Sequence, residues 1–419
     1  MTGEGPRSKS DSFTPSERLQ NMQSLLKDKK ITIGISGGIA AYKIPLLIRL
    51  LSQYGASVQC VVTNSALDFV TETLLFRLTN KPVLSPQKEN GWIEDYHITV
   101  KNNSDLFILA PGTLNTIGKI AAGIADDPLT TVVSALFAKK VPLLFVPSMN
   151  IDMWNNPILQ DNIKKLKNLD VHFCGPNIGE LACGEFGLGK MSEPEEIFEN
   201  VVYVLSQKKL SGKKVLITAG PTREHLDPIR FISNISSGSR GYAMAKVCAY
   251  EGAEVTLISG PSTQKASQFV HSFKACVSAQ EMFDMVMSEI KTNEYDYFIS
   301  VAAVSDFAPL HYYSEKLPKQ EIMNLELKRN EDILGTISGM KNSLKKPLKL
   351  IGFAAQTHNT LEIARKKLKT RELDLIIANT IDQNFSLYQH VTLIDKNFNE
   401  LVITGSNESI AQKIIKKML

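Results

Sequence analysis

Cysteine is scarce in this sequence, and the few cysteines are widely spaced. The 419 residues include only Cys60, Cys174, Cys183, Cys248 and Cys276, with no CxxC pair among them. A disulfide framework or a cysteine-based zinc site would need paired or closely spaced cysteines, so the pattern argues against both. A reducing cytoplasm is the simplest compartment for such a chain.

Long apolar runs and a strong charge imbalance are also absent. No run approaches the ~18–20 apolar residues of a membrane-spanning helix. Residues 1–29 are rich in Ser, Lys and Glu and lack the apolar core of a signal peptide, so we predict a flexible tail. The net charge of +4 is too small and diffuse to indicate nucleic acid, and anionic small substrates suit it equally. We expect no nucleic-acid or membrane partner.

Short apolar runs alternate with helix-length segments along the rest of the chain. The strand candidates of the first half are Ile31–Ser36, Ser57–Thr63, Asp105–Pro111, Pro142–Ser148 and Val171–Cys174. Those of the second half are Val215–Gly220, Glu254–Gly260, Phe273–Ser278, Tyr297–Val304, Leu348–Ala355 and Leu373–Asn379, with a hairpin over Val391–Lys396 and Glu400–Gly405. Nearly continuous apolar runs are typical of parallel strands covered on both faces. The alternation therefore predicts an α/β chain with two doubly wound Rossmann-like domains, at 30–209 and 210–419.

The first strand runs directly into a turn of small residues. Ile31–Ser36 is followed by Gly37-Gly38-Ile39 and then a helix-like stretch to Gln53. In an open α/β sheet this turn lies at the carboxyl edge, where ligands bind, and it suits a single phosphate such as that of a flavin mononucleotide. A glycine turn alone is also a common structural feature. Polar turns after the next three strands, at Thr63–Ser65, Ala110–Thr116 and Pro147–Asn150, strengthen the ligand interpretation.

A glycine-rich segment at residues 181–191 surrounds Cys183. A lone cysteine is more often a core filler, but a mobile, glycine-flanked loop could close over a substrate and offer a thiol proton. SGGIAAYK at Ser36–Lys43, the turn Pro147–Asn150 and ACGEFGLGKM at Ala182–Met191 together resemble the flavin-dependent cysteine decarboxylases. The likeness is to the phosphopantothenoylcysteine decarboxylase half of the bacterial bifunctional coenzyme A biosynthesis protein, over nearly all of residues 30–205.

This resemblance implies bound FMN and three catalytic residues. His97 would be the base, Asn150 would hold the departing carboxylate and Cys183 would donate a proton. In the family, oxidation of the substrate thiol to a thioaldehyde gives the electrons released with CO₂ a place to go. Ile39 and Met149, both expected to be buried, would pack around the flavin. The implied FMN contacts are Ser36, Gly37, Gly38, Ile39, Thr63, Pro111, Thr113, Asn115 and Thr116. Gly112, Leu114 and Ser148 depart from the usual Ala, and we expect altered packing from them.

The second half opens with a long polar loop between a strand and its helix. Gly220–Gly238 separates the strand at Val215 from a helix predicted to begin near Gly241. Loops of this length are uncommon and usually functional. His225 could be a base, although a solvent-facing loop histidine is the simpler interpretation. AGPTREHLDPIRFISNISSG, with later segments up to about residue 380, resembles the phosphopantothenate–cysteine ligase half of the same bifunctional protein.

That resemblance implies CTP-dependent ligation of cysteine to 4'-phosphopantothenate through an acyl-cytidylate, with Mg²⁺ on the phosphates. Asn234 would face the acyl-cytidylate and Lys316 would serve its formation. The implied nucleotide contacts are Ala303, Asp306, Lys316, Asn330, Glu331, Asp332, Ile333, Phe353, Lys367 and Arg371; the metal ligands are not identified. The family also forms trimers through its decarboxylase half and dimers through its ligase half, so we expect a homo-oligomer.

Three positions depart from the ligase pattern. Arg371 stands for Lys, Gln356 for Glu, and Ser239-Arg240 for Lys-Met. Each could alter nucleotide affinity, because Arg and Lys are not geometric equivalents and Gln lacks a carboxylate. Three alternatives stay open: a non-catalytic second domain, an NAD(P)-dependent dehydrogenase, and, for the first half, a flavin enzyme acting on peptide C-terminal cysteines.

Overall fold

The computed structural model describes residues 25–86, 96–182, 184–318, 324–380 and 389–419. The chain divides into two compact units, Met1–Ser206 and Gln207–Leu419, each with its own central sheet. Cys183 and most of the predicted tail lie outside the described residues. Within the described ranges, none of the helices is long and apolar enough to cross a bilayer.

The N-terminal unit is built on five parallel strands. They are β1 (Lys30–Ile35), β2 (Ser57–Val62), β3 (Leu106–Gly112), β4 (Leu143–Pro147) and β5 (Val171–Phe173). Their order in the sheet is β2-β1-β3-β4-β5. All seven residues of β3 are buried, as the continuous apolar run predicts for a strand covered on both faces. In this order the chain reverses its winding direction between β1 and β3, and ligands of open α/β sheets bind at such a switch point.

The strands of this unit alternate with helices that pack on both faces. These are α1 (Ile44–Gln53), α2 (Glu72–Thr79), α3 (Tyr96–Asn102), α4 (Leu114–Ala122), α5 (Pro128–Lys139), α6 (Ile151–Trp154), α7 (Pro157–Lys167) and α8 (Pro194–Leu205). The helix predicted from Ile39 begins as a 3₁₀ turn over Ile39–Lys43, and the α-helix starts only at Ile44, with Pro45 in its first turn. Proline fits there because the first-turn N–H groups have no partner within the helix.

The C-terminal unit has an eight-stranded sheet. Its strands are β8 (Lys214–Ala219), β11 (Glu254–Ser259), β12 (Ser272–Ala275), β13 (Tyr297–Ser300), β16 (Lys349–Gln356), β17 (Leu375–Thr380), β18 (Gln389–Asp395) and β19 (Glu400–Gly405). The order is β12-β11-β8-β13-β16-β17-β18-β19, and the first six are parallel. The switch point lies between β8 and β13, as in dinucleotide-binding sheets. The predicted C-terminal hairpin is confirmed, because β18 and β19 pair antiparallel.

Five further helices flank this sheet or lead out of its loops. They are α9 (Ser239–Tyr250), α10 (Ala279–Thr292), α11 (Ile333–Met340), α12 (Thr360–Thr370) and α13 (Asn407–Met418). A buried face of the sheet, including Ile217 and Ile299, packs against α9 and α13, while Leu216 and Phe298 point into the opposite layer. Both domains are therefore doubly wound, as predicted from the alternation of apolar runs.

Two segments predicted as loops contain short antiparallel pairs. The glycine-rich segment and the residues just before it form a hairpin of β6 (Asn177–Glu180) and β7 (Phe186–Lys190), which we call the flap. The loop at 220–238 contains β9 (Arg223–His225) and β10 (Phe231–Ser233). A third pair joins β14 (Phe307–Pro309) to β15 (Leu327–Arg329). Pairing satisfies backbone groups that an irregular segment would leave to water. The sequence predicts loops in the first two segments and does not predict these short strands.

Candidate functional sites

A cavity of about 1330 Å³ opens at the switch point of the N-terminal sheet. Its wall is formed by the turns after β1, β2, β3 and β4 and by the flap β6–β7. Ligand cavities usually measure about 300–1,000 Å³, so this one has room for a cofactor and a substrate together. Of the predicted FMN contacts, those that line it are Gly37, Gly38, Ile39, Thr63, Thr113, Asn115 and Thr116.

The turn after β1 approaches the turn after β2 very closely. A Cβ on Gly37 would lie 2.5 Å from the Ser65 Cβ, whereas one on Gly38 would find nothing nearer than the Thr113 Cγ2 at 3.5 Å. Of these two residues, only Gly37 therefore has to be glycine for steric reasons. Ile39 lines the cavity but is 55% exposed, so the expectation that it is buried was wrong.

Ser36 and Pro111 stand behind the cavity wall instead of on it. The Ser36 hydroxyl donates to the Pro111 carbonyl (2.6 Å), and the Thr113 N–H donates to the Ser36 Oγ (3.1 Å). Ser36 is thus fully engaged in joining the end of β1 to the end of β3. Ser36 therefore holds Thr113, which caps α4 and lines the cavity, and the FMN contacts of Ser36 and Pro111 stay predictions.

Thr63, at the end of β2, carries a hydroxyl with no partner in the described residues. Its Oγ1 is buried and lies on a residue of the cavity wall. A buried hydroxyl without a hydrogen bond costs about 1–3 kcal/mol, so its presence here indicates a missing polar partner. The small turn at Gly37-Gly38, the capped start of α4 and this orphaned hydroxyl together fit a bound phosphate-bearing flavin.

Asn150 lies on the cavity wall at the start of α6. Its Oδ1 accepts the Met153 N–H (2.9 Å), while its Nδ2 makes no hydrogen bond to a described residue. The flap is pressed against this turn: the Met149 N–H donates to the Gly189 carbonyl (3.1 Å), and a Cβ on Gly189 would lie 2.1 Å from the Met149 oxygen. The glycines of the flap therefore allow β7 to hold the Asn150 turn in place. Ala182, next to Cys183, also lines the cavity.

His97 is placed on α3, which packs against α5. It is half-buried, its ring meets Tyr96 edge-on at 5.5 Å, and it is not among the residues that line the cavity. The structure of one chain thus does not bring His97 together with Asn150.

Two lysines on the cavity wall were not selected from the sequence. The buried Lys43 ammonium donates to the Met191 carbonyl (3.2 Å) and to Glu193 (2.8 Å), and so ties the first turn to the end of the flap. Lys119, one helical turn after Asn115, pairs with Asp126 at 2.8 Å. Lys43 stood inside the quoted motif, but its partners are about 150 residues away and no local pattern reveals them.

In the C-terminal unit the two loops at the switch point are bonded to each other. The Ala303 N–H donates to the Gly220 carbonyl (2.9 Å), and the Ser305 N–H donates to the Thr222 Oγ1 (3.0 Å). The Asn234 side-chain amide donates to the carbonyls of Ala303 (3.3 Å) and Val304 (2.9 Å). The structure therefore brings the predicted residues Asn234 and Ala303 together at the carboxyl edge of β8 and β13.

The next predicted residues continue along the same edge. Asn330 donates from its Nδ2 to the Ser305 carbonyl (2.8 Å) and from its N–H to the Asp306 carbonyl (2.9 Å). Asp306, Glu331 and Asp332 are exposed, and Ile333 is buried in the first turn of α11. Asp332 caps α11 by accepting the Gly335 N–H (2.8 Å).

Lys367, in the last turn of α12, and Arg371, which caps the C-terminus of that helix, reach this cluster from the other side. The Lys367 ammonium donates to the Phe353 carbonyl (3.0 Å), and Arg371 forms an ion pair with Asp332. Burial lowers the pKa of Lys367. The carboxylates of Asp332 and Asp306 act against this shift, whereas the charge of Arg371 adds to it. The guanidinium of Arg371, which stands where the ligase pattern has Lys, is thus paired with Asp332.

The other two departures from the ligase pattern are Gln356 and Ser239-Arg240. Gln356 ends β16, where its carbonyl accepts the Thr360 hydroxyl (3.5 Å). Ser239 accepts the Asn407 side-chain N–H (3.1 Å), while the buried Arg240 Nε has no partner in the described part of the chain. Burial lowers the pKa of Arg240 to about 10.

Lys316 is exposed, and its ammonium makes no hydrogen bond or ion pair with a described residue. It is therefore not brought into the cluster around Lys367. No preformed metal centre accompanies these residues: among the described residues, no group of three or more His, Cys, Asp or Glu side chains could hold a metal ion. The side chains present do not fit a protein-bound Mg²⁺ by themselves.

The chain is similar over almost its whole length to curated proteins. It matches the Flavoprotein family over residues 19–206 and the DNA/pantothenate metabolism flavoprotein C-terminal domain over residues 210–419. The coenzyme A biosynthesis bifunctional protein CoaBC of Vibrio vulnificus is 38% identical over 404 residues, covering 94% of this chain and 98% of the relative. The chain belongs to the CoaBC family.

A second CoaBC protein and a solved CoaBC domain are also similar to this chain. The one of Bacillus subtilis is 40% identical over 365 residues, covering 86% of this chain and 88% of the relative. A crystal structure of a CoaBC C-terminal domain is 37% identical, with a TM-score of 0.43, and covers 51% of this chain and 96% of that domain. The two family models thus show a flavoprotein domain followed by a DNA/pantothenate metabolism flavoprotein C-terminal domain.

Proposed function

We propose that this chain catalyses two consecutive steps of coenzyme A biosynthesis. The C-terminal domain, 210–419, would join cysteine to 4'-phosphopantothenate with CTP, and the FMN-dependent domain, 30–209, would decarboxylate the product to 4'-phosphopantetheine. The observation that carries the proposal is the CoaBC match across 98% of a relative's length, with a candidate site in each unit. Fusion favours this substrate over peptide C-terminal cysteines, because one domain makes what the other consumes. The two steps belong in the cytoplasm.

The N-terminal cavity would hold the flavin. Its phosphate would meet the turn Gly37-Gly38 and the start of α4, where Thr113 and Thr116 lie, and the orphaned Thr63 hydroxyl would gain a partner. Asn115 and Ile39 would complete the wall, with Ser36 and Pro111 supporting it from behind. When bound, FMN supplies a two-electron oxidation of the substrate thiol and returns those electrons at the end.

The residues around that cavity would handle the carboxylate and the protons. Asn150 would orient the departing carboxylate, since its Nδ2 has no hydrogen bond to a described residue. Cys183 would donate the proton. The other four cysteines are buried, and burial raises the pKa of the Cys60 thiol to about 12 and that of Cys174 to about 11. A thiol held in a dry core is inert, which leaves Cys183 as the candidate.

His97 would reach the site from a second copy of the chain. It does not line the cavity of its own chain, yet the proposed chemistry needs a base there. A homo-oligomer in which α3 of one copy faces the cavity of another would complete the site.

In the C-terminal domain, Asn234 and the cluster around Lys367 would bind the nucleotide and the activated acyl group. The cations Lys367 and Arg371, with Asp306, Asn330, Glu331, Asp332, Ile333, Ala303 and Phe353, line one edge of the sheet. Attack of the cysteine amine on the activated carbonyl is limited chiefly by charge, which these cations and N–H groups would offset. Any Mg²⁺ would need the nucleotide's phosphates among its ligands, as is usual for this ion.

The test is to combine the purified chain with 4'-phosphopantothenate, cysteine, CTP and Mg²⁺. We expect a yellow protein, pyrophosphate release that requires CTP and 4'-phosphopantothenate and continues beyond one turnover only with cysteine, and CO₂ with 4'-phosphopantetheine as the final product. Lys316→Ala should slow pyrophosphate release sharply, to a small residual rate, but leave decarboxylation of added phosphopantothenoylcysteine intact. A lack of pyrophosphate would support a non-catalytic second domain. A colourless protein that binds a nicotinamide cofactor would support a dehydrogenase. ATP in place of CTP tests nucleotide preference.

A further inference from the structure

The segment that carries Lys316 is hydrogen-bonded to the loop between β9 and β10. The Leu317 N–H donates to the Asp227 Oδ2 (3.1 Å), and the Arg230 Nη2 donates to the Leu317 carbonyl (2.8 Å). Four residues earlier, the Tyr313 N–H donates to the Leu226 carbonyl (2.9 Å). Both backbone groups of the residue after Lys316 are therefore occupied by one pair of side chains, which we call the Asp227–Arg230 clamp.

The Asp227 carboxylate is fully buried and has five donors. Besides Leu317, these are the N–H groups of Ile229 (2.9 Å) and Arg230 (2.8 Å) and the Arg230 Nε (2.8 Å) and Nη2 (2.6 Å). Burial alone would raise its pKa, but the Arg230 guanidinium and these N–H groups hold the pKa of Asp227 well below its ordinary value. The clamp is thus a charged, saturated anchor that stays ionised at neutral pH.

The side chain of Lys316 has no such anchor of its own. It is exposed and its ammonium has no hydrogen bond or ion pair with a described residue, so the place of the ammonium depends on the backbone that carries it. Fixing Leu317 fixes the peptide plane that begins at Lys316, because the Cα atoms of neighbouring residues are only about 3.8 Å apart. Together with the bond at Tyr313, the clamp brackets residues 314–316 on both sides.

We propose that Asp227 is a positioning residue for acyl-nucleotide formation, acting through the backbone of Leu317 to place the Lys316 ammonium. The proposal rests on the proposed ligase function. A misplacement of about 1 Å costs on the order of 100-fold in rate when it displaces a group that must be aligned with the reacting atoms. Nucleotide binding itself should change little, because Lys367, Arg371 and Asn330 make their contacts without the clamp.

The test is a double-mutant cycle between Asp227→Asn and Lys316→Ala, with CTP-dependent pyrophosphate release as the readout. We expect Asp227→Asn to lower kcat by about 10- to 100-fold with KM for CTP within about twofold. In the Lys316→Ala background the same change should cost less than about twofold, because the residue it positions is gone. An equal loss in both backgrounds would overturn the proposal.

Asp296→Asn is the matched control. Asp296 is also nearly buried and accepts from Lys346 (2.8 Å), the Lys214 N–H (3.0 Å) and Lys213 (3.2 Å), but at the opposite, amino edge of the sheet. It should lower stability without changing kcat. If Asp227→Asn does not fold, Arg230→Lys takes its place, since an ammonium cannot fork between the carboxylate and the Leu317 carbonyl.

Hydrogen exchange at the Leu317 amide gives a readout that is independent of catalysis. Asp227→Asn should speed its exchange, while Asp296→Asn should not. If the wild-type chain releases no pyrophosphate, the proposed ligation fails, and the exchange rates still report on the clamp. Unchanged exchange in Asp227→Asn would show that the carboxylate does not hold this segment, and the positioning role would fall.

Discussion

Replacing Gly37 by alanine should weaken flavin binding, and the reason is a contact inside the protein. The new Cβ would lie 2.5 Å from the Cβ and Oγ of Ser65 and 2.9 Å from its backbone carbon. Carbon atoms of packed groups stay about 3.5–4.0 Å apart, so either the Gly37–Gly38 turn or the turn after β2 must move by about an ångström. Both turns belong to the cavity wall.

The size of the effect follows from the cost of overpacking. An extra methyl group in a packed site costs about 1–3 kcal/mol. If the strain is relieved by moving the turn out of its binding position, the same free energy appears in flavin affinity, as a fall of about 5- to 150-fold. The measurement is a titration of the flavin-free protein with FMN, followed by the quenching of flavin fluorescence.

Two variants separate this explanation from a general loss of structure. Gly38→Ala adds the same methyl group next door, where the nearest atom is 3.5 Å away and the backbone is extended with φ of −172°, so its affinity should stay near that of the wild type. Ser65→Gly in the Gly37→Ala background removes the clashing Cβ and Oγ and should restore part of the lost affinity, since the 2.9 Å approach to the backbone carbon of residue 65 remains. Wild-type affinity in Gly37→Ala, or an equal loss in Gly38→Ala, would refute the steric argument.

Three further perturbations test other parts of the molecule. Cys183→Ser should still oxidise the substrate and release CO₂ but leave an oxidised ene-thiol product, detectable by mass spectrometry; normal turnover would refute the proton-donor role. Gly189→Ala puts a Cβ 2.1 Å from the Met149 oxygen and should abolish CO₂ release while pyrophosphate release, the internal control, persists. Because the pKa of Asp227 is depressed in the folded state, its stabilisation is present above the unfolded value of about 4 and is lost as the pH falls below it. The free energy of unfolding should therefore fall less between pH 5 and pH 2 in Asp227→Asn than in the wild type; an identical fall would contradict the assignment.

The sheet strands could be predicted because each is a continuous apolar run. The strand predicted at Asp105–Pro111 is found at Leu106–Gly112, and all of its residues are buried. The turns that follow such strands could be placed at one edge for the same reason, since parallel strands share their carboxyl edge. This is how Gly37, Thr63 and Thr113 were found from the sequence.

What could not be predicted depends on partners far away in the chain. Ser36 looks like a ligand residue in the motif, but its hydroxyl is used up by Pro111, 75 residues later. The hairpins at 177–190 and 223–233 were missed because their strands are three to five residues long and interrupted by glycine or polar residues, so they show no alternation. Asp227 and Arg230 lie inside the motif AGPTREHLDPIRFISNISSG. Nothing else in the sequence indicates that these two residues form a clamp.

Each site is assembled from strands and loops of a single unit, and this affects how the gene can change. The order β2-β1-β3-β4-β5 is completed by residue 173 and its flap by residue 190, whereas every strand of the second sheet in the described part of the chain lies at or after Lys214. A break in the reading frame between residues 206 and 207 would therefore leave each described strand ladder whole. Two separate genes, one for each unit, would each encode a complete sheet with its candidate site.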